Sequence, residues 1–354
     1  MDGSFQASEL IKKYLNDLRS LVSPEAFDSG TDTNVENPLS TIQNIEYLTD
    51  VAISSESDDG GDLEGMLFAL FDSSAGFSLL NFLEDTVKTN DKEIKESKVH
   101  ALKFIAKTIK ILSIPSYWGP YAVNICTTLM NLFDREEKER TSLLLPLKNM
   151  LRLSISTAQS STEAAALVSI GTAEASTTIG GIGGTDNKFS LSSIMTAEAI
   201  DIDAAYNILL REIKNSKNNK TCIGEILKTL GLLVAAFPHH PNTRSNAPTI
   251  LDHCNRALKK NFPSKDPQMP IIAGAFSCLD RLLVHYTNDA QSNRDLFGDL
   301  LQCIASITQV NRYGMASKAL RLLRNHALLF QAHIGAHIRV YDLLLQCCNA
   351  SQVF

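Results

Sequence analysis

The sequence predicts an all-α chain in which amphipathic helices stack in pairs. From Gln268 to Cys348 apolar residues recur at three- and four-residue spacings. One set is Ile272, Ala275, Leu279, Leu282 and Tyr286, and another is Tyr313, Ala316, Leu320, Leu323, Ala327 and Phe330. Between them Leu296, Leu300, Cys303, Ile304 and Ile307 continue the pattern. Such spacing gives each helix one apolar stripe. Short-linked helices that cannot bury a stripe alone do so by stacking. Between Asn37 and Cys348 roughly a dozen such helices follow in pairs of ~40 residues, with no convincing strand. The irregular period, without a copied consensus, points to an α-solenoid of irregular HEAT-like helical pairs.

Taken in order, Phe5 to Val22 is the first helix, with Leu10, Ile11, Tyr14, Leu15, Leu18 and Leu21 on one side; Ser23-Pro24 stops it. Asp28 to Pro38 is a polar linker, and Leu39 to Ile53 is a second helix carrying Ile42, Ile45 and Leu48. Ser54 to Asp62 is acidic and free of apolar residues, so it is expected to be mobile. Met66, Leu67 and Leu70, then Phe77, Leu80, Phe82 and Leu83, form one helix or two short ones broken near Gly76. Asp91 to Leu112 follows with Ile94, Val99, Leu102, Ile105, Ala106 and Ile109 as its core stripe. Pro115 and Gly119-Pro120 mark a turn, and Tyr121 to Phe133 is the partner helix. Leu143 to Ile155 is another, its regular part starting near Leu145 because Pro146 is tolerated only in a first turn.

Ser156 to Ala199 is rich in Ser, Thr, Ala and Gly and reads as an insertion. Its Gly180-Gly181-Ile182-Gly183-Gly184 run is not a phosphate loop, because no Gly-Lys-Ser/Thr follows and no strand precedes it. Helices resume with Ala204 to Ile213, Ile223 to Phe237 (ended by Pro238) and Asn242 to Phe262. The expected organisation is therefore residues 1–62, N-terminal helices with an acidic mobile linker; 63–155, a first HEAT-like block; 156–200, a partly disordered low-complexity insertion; and 201–354, a second HEAT-like block.

The 354 residues are 44% hydrophobic and 20% charged, enough for a large core, with a net charge of −6. Residues 1–200 hold 28 acidic and 16 basic side chains, whereas residues 201–354 hold 11 and 17. An acidic front and a basic back suggest later helices that face something anionic, but on charge alone an ordinary solvated surface fits better. The seven cysteines lack zinc-knuckle spacing and sit mostly on apolar faces, as free thiols do in a reducing compartment. Met1-Asp2-Gly3-Ser4 lacks the basic-then-apolar order of a secretory signal, and no apolar run approaches the ~18 residues of a membrane span. The expectation is a soluble intracellular protein.

No catalytic constellation is legible. His239-His240 lie in a turn without metal-binding partners, and His333 and His337 at i, i+4 spacing lack the acidic residue of a helical zinc pair, since Ile334 stands there. His326 reads as a packed helix residue. No Gly-x-Ser-x-Gly elbow or kinase signature is present, so neither a catalytic residue, a metal ligand, a cofactor nor a small-molecule substrate is assigned. The notable feature is electrostatic. Val310 to Tyr341 holds Arg312, Lys318, Arg321, Arg324 and Arg339 and no Asp or Glu. Lys318 and Arg321 lie opposite the apolar stripe with Arg324 on its shoulder, a face suited to phosphates or to plain solvent. Lys103, Lys107 and Lys110 line one side of an earlier helix near Lys95, and Lys259 and Lys260 end another, where cations favour the helix dipole. Lys103, Lys107, Lys110, Lys259, Lys260, Arg312, Lys318, Arg321 and Arg324 are thus the candidate nucleic-acid contacts.

Several stretches resemble the N-terminal HEAT-repeat region of the DNA-dependent protein kinase catalytic subunit, in the phosphoinositide-3-kinase-like kinase family. They are Pro270-Ile271-Ile272-Ala273-Gly274, Leu279, Leu282-Leu283, Thr287, Arg294, Phe297, Ile304, Arg312-Tyr313, Ala319-Leu320-Arg321-Leu322, His326-Ala327, Phe330 and Tyr341 to Cys348. Leu230-Gly231-Leu232-Leu233, Phe77 to Leu83, Leu102-Lys103-Phe104 and Pro120-Tyr121-Ala122-Val123 fall in matching order. The resemblance covers about Leu63 to Cys348 and is one of packing residues, silent about chemistry. The Ser156–Ala199 insertion and the acidic Ser54–Asp62 segment depart from the family pattern.

The resemblance implies a nuclear scaffold arm that holds double-stranded DNA ends and the Ku heterodimer in non-homologous end joining. The remainder of the kinase polypeptide, with its serine/threonine kinase, would lie beyond residue 354, so the chain is expected to be that arm alone. The alternative is a HEAT-repeat adaptor for protein–protein assembly that binds no nucleic acid.

Overall fold

The computed structural model describes residues 7–22, 37–54, 61–87, 89, 91–136, 139–171, 201–215, 219–261, 268–285, 318 and 321–326. Among them the fold is all-α and solenoid-like: twelve helices, one 3-10 turn and no strand. The chain divides into two compact units, Met1–Asp201 and Ile202–Phe354.

In the first unit α1 (Ala7–Val22) buries Ile11, Leu15 and Leu18 against α2 (Pro38–Ser54) and α3 (Gly61–Phe71). Each fully buried Ile or Leu contributes about 1.5–3 kcal/mol relative to exposure. Asn37 starts α2 by accepting from the Leu39 amide (2.8 Å), and Pro38 costs nothing in a first turn whose N–H is unpaired anyway. The stretch around Gly76 forms two helices, α3 and α4 (Leu79–Asp85). Gly76 has φ +126°, open to glycine and hostile to other residues. Ser78 then starts α4 in a reciprocal cap with Asn81.

α5 (Lys92–Ile111) begins where Asp91 accepts from the Glu93 and Ile94 amides (2.7 and 3.3 Å). Four of the turn residues after it form a short helix, α6 (Pro115–Trp118), which plants Trp118 in the core. The Trp118 indole donates to the Leu112 carbonyl at 2.6 Å, and its ring lies 5.6 Å from that of Phe71. α7 (Ala122–Arg135) directs Ile125, Leu129 and Leu132 inward, as their spacing predicts.

α8 (Arg140–Gly171) departs from the sequence reading at its start. It begins at Arg140, not near Leu145, and carries Pro146 in its interior. Arg140 secures the early turn by donating Nε–H to the Phe133 carbonyl (3.3 Å), with its guanidinium 5.5 Å over the Phe133 ring. Pro146 has no N–H, so the helix forfeits one backbone bond there. The helix runs to Gly171, well into the stretch that reads as an insertion, and residues 172–200 lie outside the described residues.

α5 lies between α2 and α8, and all three run parallel. Asn37 meets Glu93 (3.2 Å) and Asp50 meets Lys107 (2.6 Å), so contacts advance together along α2 and α5. Lys98 pairs with Glu136 and the Ala106 carbonyl accepts from Asn149 (2.8 Å), so they advance together along α5 and into α8. The sequence places Val99 in the α5 core, but Val99 is half-buried and Lys98 beside it is buried at 1% exposure. Burial pushes the Lys98 ammonium down to about 8, with Glu139 opposing the shift.

In the second unit, α9 (Ile202–Lys214), α10 (Lys220–Ala236), α11 (Pro241–Asn261) and α12 (Met269–His285) pack together. Asn219 caps α10 by accepting from the Cys222 amide (2.7 Å), and Tyr206 of α9 donates to Thr243 of α11 (3.1 Å). α10 and α12 touch backbone to backbone. A Cβ on Gly224 would stand 2.3 Å from the Pro270 carbonyl oxygen, and one on Gly274 would stand 2.3 Å from that of Gly224. A Cβ on Gly231 would stand 2.7 Å from the Cys278 Cα. Cys126, Cys222, Cys254 and Cys278 are buried and form no disulfide among the described residues, and burial pushes Cys126 up to about 12.

Gly224→Ala should cost about 1–3 kcal/mol or more, because its obstacle is backbone that cannot move aside. Gly65→Ala, whose Cβ would meet only Ser8 at 3.6 Å, should be neutral or stabilising by up to about 1 kcal/mol. Denaturant melts of the two variants check this, and equal effects would refute the glycine seam. Lys98→Met should destabilise by about 3–5 kcal/mol by stranding Glu136. Lys98→Met with Glu136→Leu should recover most of that loss in the same melts.

Candidate nucleic-acid interface

The α5 lysines lie in the first unit, on the face left outward between α2 and α8. Lys103 and Lys110 are exposed, with no ion pair among the described residues. Lys107 differs. Its ammonium sits 2.6 Å from Asp50 Oδ2 and 2.8 Å from Glu46 Oε1, and these carboxylates hold it above the ordinary lysine value. His100 joins the same Glu46 through Nε2 at 2.8 Å. Lys107 is thus a tie between α2 and α5 whose charge is already matched. Over the N-terminal half of α5 lies an open groove of about 410 Å³, lined by Gln43, Lys92, Lys95, Val99 and Lys103 among others. Glu139 also borders it, with Oε2 buried and without a hydrogen-bond partner among the described residues.

The remaining candidates belong to the second unit. Lys259 and Lys260 are exposed in the last turn of α11, at the negative end of its dipole. Lys318, Arg321 and Arg324 are exposed, while Leu322, Leu323 and His326 are buried. At roughly 100° per residue those two sets occupy opposite sides of a helix. Arg312, Arg339, His333 and His337 lie outside the described residues.

An acidic residue absent from the local sequence stands beside this basic face. Asp280, on α12, places Oδ2 3.6 Å from Arg321 Nη2. Its Oδ1 accepts from Asn325 Nδ2 (3.1 Å) and lies 3.2 Å from His326 Nε2. The hydrogen bond from His326 holds the Asp280 carboxyl below its ordinary value, burial opposes it, and Asn325 helps. His326 is therefore a packed helix residue bonded to a carboxylate. Sequence reasoning missed Asp280, Glu46 and Asp50 as partners of the candidate cations, and no local signal reveals them.

His240 accepts weakly through Nδ1 from the Asn242 amide (3.3 Å) in the turn before α11, and His239 beside it is exposed. Among the described residues no three His, Cys, Asp or Glu gather as a metal site, and no helix is long and apolar enough to cross a membrane. Phosphate contact at exposed lysines and arginines is the chemistry these faces permit.

A family model described as DNA-PKcs, N-terminal, matches residues 189–353. The DNA-dependent protein kinase catalytic subunit of Dictyostelium discoideum is 21% identical over 280 residues, 77% of this chain and 6% of the relative. That of Xenopus laevis is 22% identical over 284 residues, 78% and 6%. That of Mus musculus is 26% identical over 171 residues, 46% and 4%. The chain thus spans about one-sixteenth of the length of the first two. No solved structure matches it. Family model and relatives converge on one region: the chain is similar to the N-terminal region of the DNA-dependent protein kinase catalytic subunit.

Proposed function

We propose that the chain is the N-terminal scaffold arm of a DNA-dependent protein kinase. In that role it binds DNA ends and the Ku heterodimer in double-strand break repair by non-homologous end joining, in the nucleus, joined to the remainder of the kinase polypeptide. The carrying observation is the similarity to that catalytic subunit over 77–78% of the chain. The exposed cations add a means of contact. They are spread over helix faces, an arrangement suited to contact through phosphates, independent of sequence and weakened by salt. The chain acts as scaffold, and phosphorylation belongs to the rest of the kinase.

A second reading, an adaptor for protein assembly, is favoured by the acidic excess of residues 1–200 and by the carboxylates facing Lys107 and Arg321. Salt-dependent duplex binding separates the two.

Lys318→Glu, Arg321→Glu and Arg324→Glu together should weaken duplex binding and reduce the slope of log K against log salt by up to about 2.7, roughly 0.9 for each phosphate no longer neutralised. An anisotropy titration of a blunt duplex across salt reads both quantities. Unchanged binding and slope would sink the assignment of this face. In the same titration Lys103→Gln with Lys110→Gln should lower the slope. Lys107→Gln should leave the slope alone and instead lower the melting temperature, because Lys107 already serves two carboxylates.

A further inference from the structure

Asp280 is the point where the basic face is fastened to the core of the second unit. Its side chain is 23% exposed, against 5% for His326 and 62% for Arg321. Oδ1 takes Asn325 and His326, the Asp280 backbone carbonyl lies 3.1 Å from His326 Nε2, and Oδ2 faces Arg321. One oxygen thus secures the turn carrying the cations, and the other lies against one of those cations.

We propose that Asp280 is the positioning residue of a phosphate-binding face formed by Lys318, Arg321 and Arg324, holding Arg321 loosely until a nucleic-acid phosphate displaces it. This rests on the nucleic-acid reading above. Hydrogen bonds from His326 and Asn325 fix the turn against α12, so the three cations keep one geometry. The Arg321 contact is different in kind. At 3.6 Å and largely in solvent it is weak, and a phosphate exchanges for it readily. The partner is a run of phosphates, because a single carboxylate ligand would gain nothing over Asp280 itself.

The test compares Asp280→Asn with Asp280→Ala in the full chain, reading blunt-duplex affinity by anisotropy across salt together with thermal melts. Both variants remove the same charge and keep the backbone carbonyl near His326, and only asparagine also keeps a side-chain oxygen for His326 and Asn325. Asp280→Asn should bind up to about five-fold tighter at low salt, the size of one exposed ion pair, and Arg321→Gln should abolish that gain. Asp280→Ala should bind more weakly than Asp280→Asn and melt lower. If Asp280→Ala does not fold, His326→Phe removes the same bond from the other side and should weaken binding with Asp280 intact. Equal affinities for the two Asp280 variants, or a gain that survives Arg321→Gln, would overturn the role of Asp280 while leaving the nucleic-acid reading standing. Absence of salt-dependent binding by the unaltered chain would overturn both.

Discussion

An amphipathic helix leaves its apolar stripe in water unless another helix covers it, and each unit of this chain is an answer to that constraint. In the first unit α5 is covered by α2 on one side and α8 on the other, all running the same way. Parallel neighbours in one layer leave the remaining face of each helix outward. Lys103 and Lys110 stand on that face because the other positions of α5 are taken by Ala101, Leu102, Ile105 and Ile109. In the second unit the cover is closer, because Gly224 and Gly274 bring α10 and α12 into backbone contact. The packing that closes the core therefore also decides which side chains meet solvent and which cations remain for a partner.

Charge within the layers follows a different rule from charge on the faces. Lys98 is buried with Glu136, and its ammonium is destabilised by the loss of water. Lys107 is half-exposed and gains from Asp50 and Glu46. Both join neighbouring elements of the stack, yet Lys98 is a strained anchor in the dry layer and Lys107 an easy tie at the rim. Three lysines of one helix, Lys98, Lys107 and Lys103, thus have three roles set by depth and by the carboxylates that face them. Net charge per segment averages over these three lysines.

Much of the fold was legible in the residues. The stripes Ile11–Leu15–Leu18, Ile125–Leu129–Leu132 and Ile272–Ala275–Leu279 are all buried as their spacing demands. Gly76 separates two helices, where the sequence left open one helix or two broken near that glycine. Periodicity names the buried face of a helix but not what lies across from it. Lys98 could not be told from a solvated lysine until Glu136, 38 residues on, was seen to face it. Lys107 and its two carboxylates are separated by 57 and 61 residues, and Asp280 stands 46 before His326. The acid-free run from Val310 to Tyr341 was true of the sequence, yet folding brings Asp280 to Arg321. The start of α8 was missed because the rule for proline considers local bonds, whereas Arg140 gains its anchor from Phe133 on the preceding helix.

The glycine contacts of α10 and α12 also carry a mechanical meaning. Parallel helices joined by long side chains yield to shear, because those side chains reorient as the helices slide. Sliding α12 along α10 by one turn, about 5.4 Å, would carry a side chain into the notch that Gly224 and Gly274 leave for each other. The seam therefore behaves as a keyed joint, stiff against slip, while the α2–α5 seam, spanned by the flexible stem of Lys107, is compliant. Load applied along α10 or α12 passes directly between their backbones, whereas load along α2 or α5 is first taken up by the Lys107 stem.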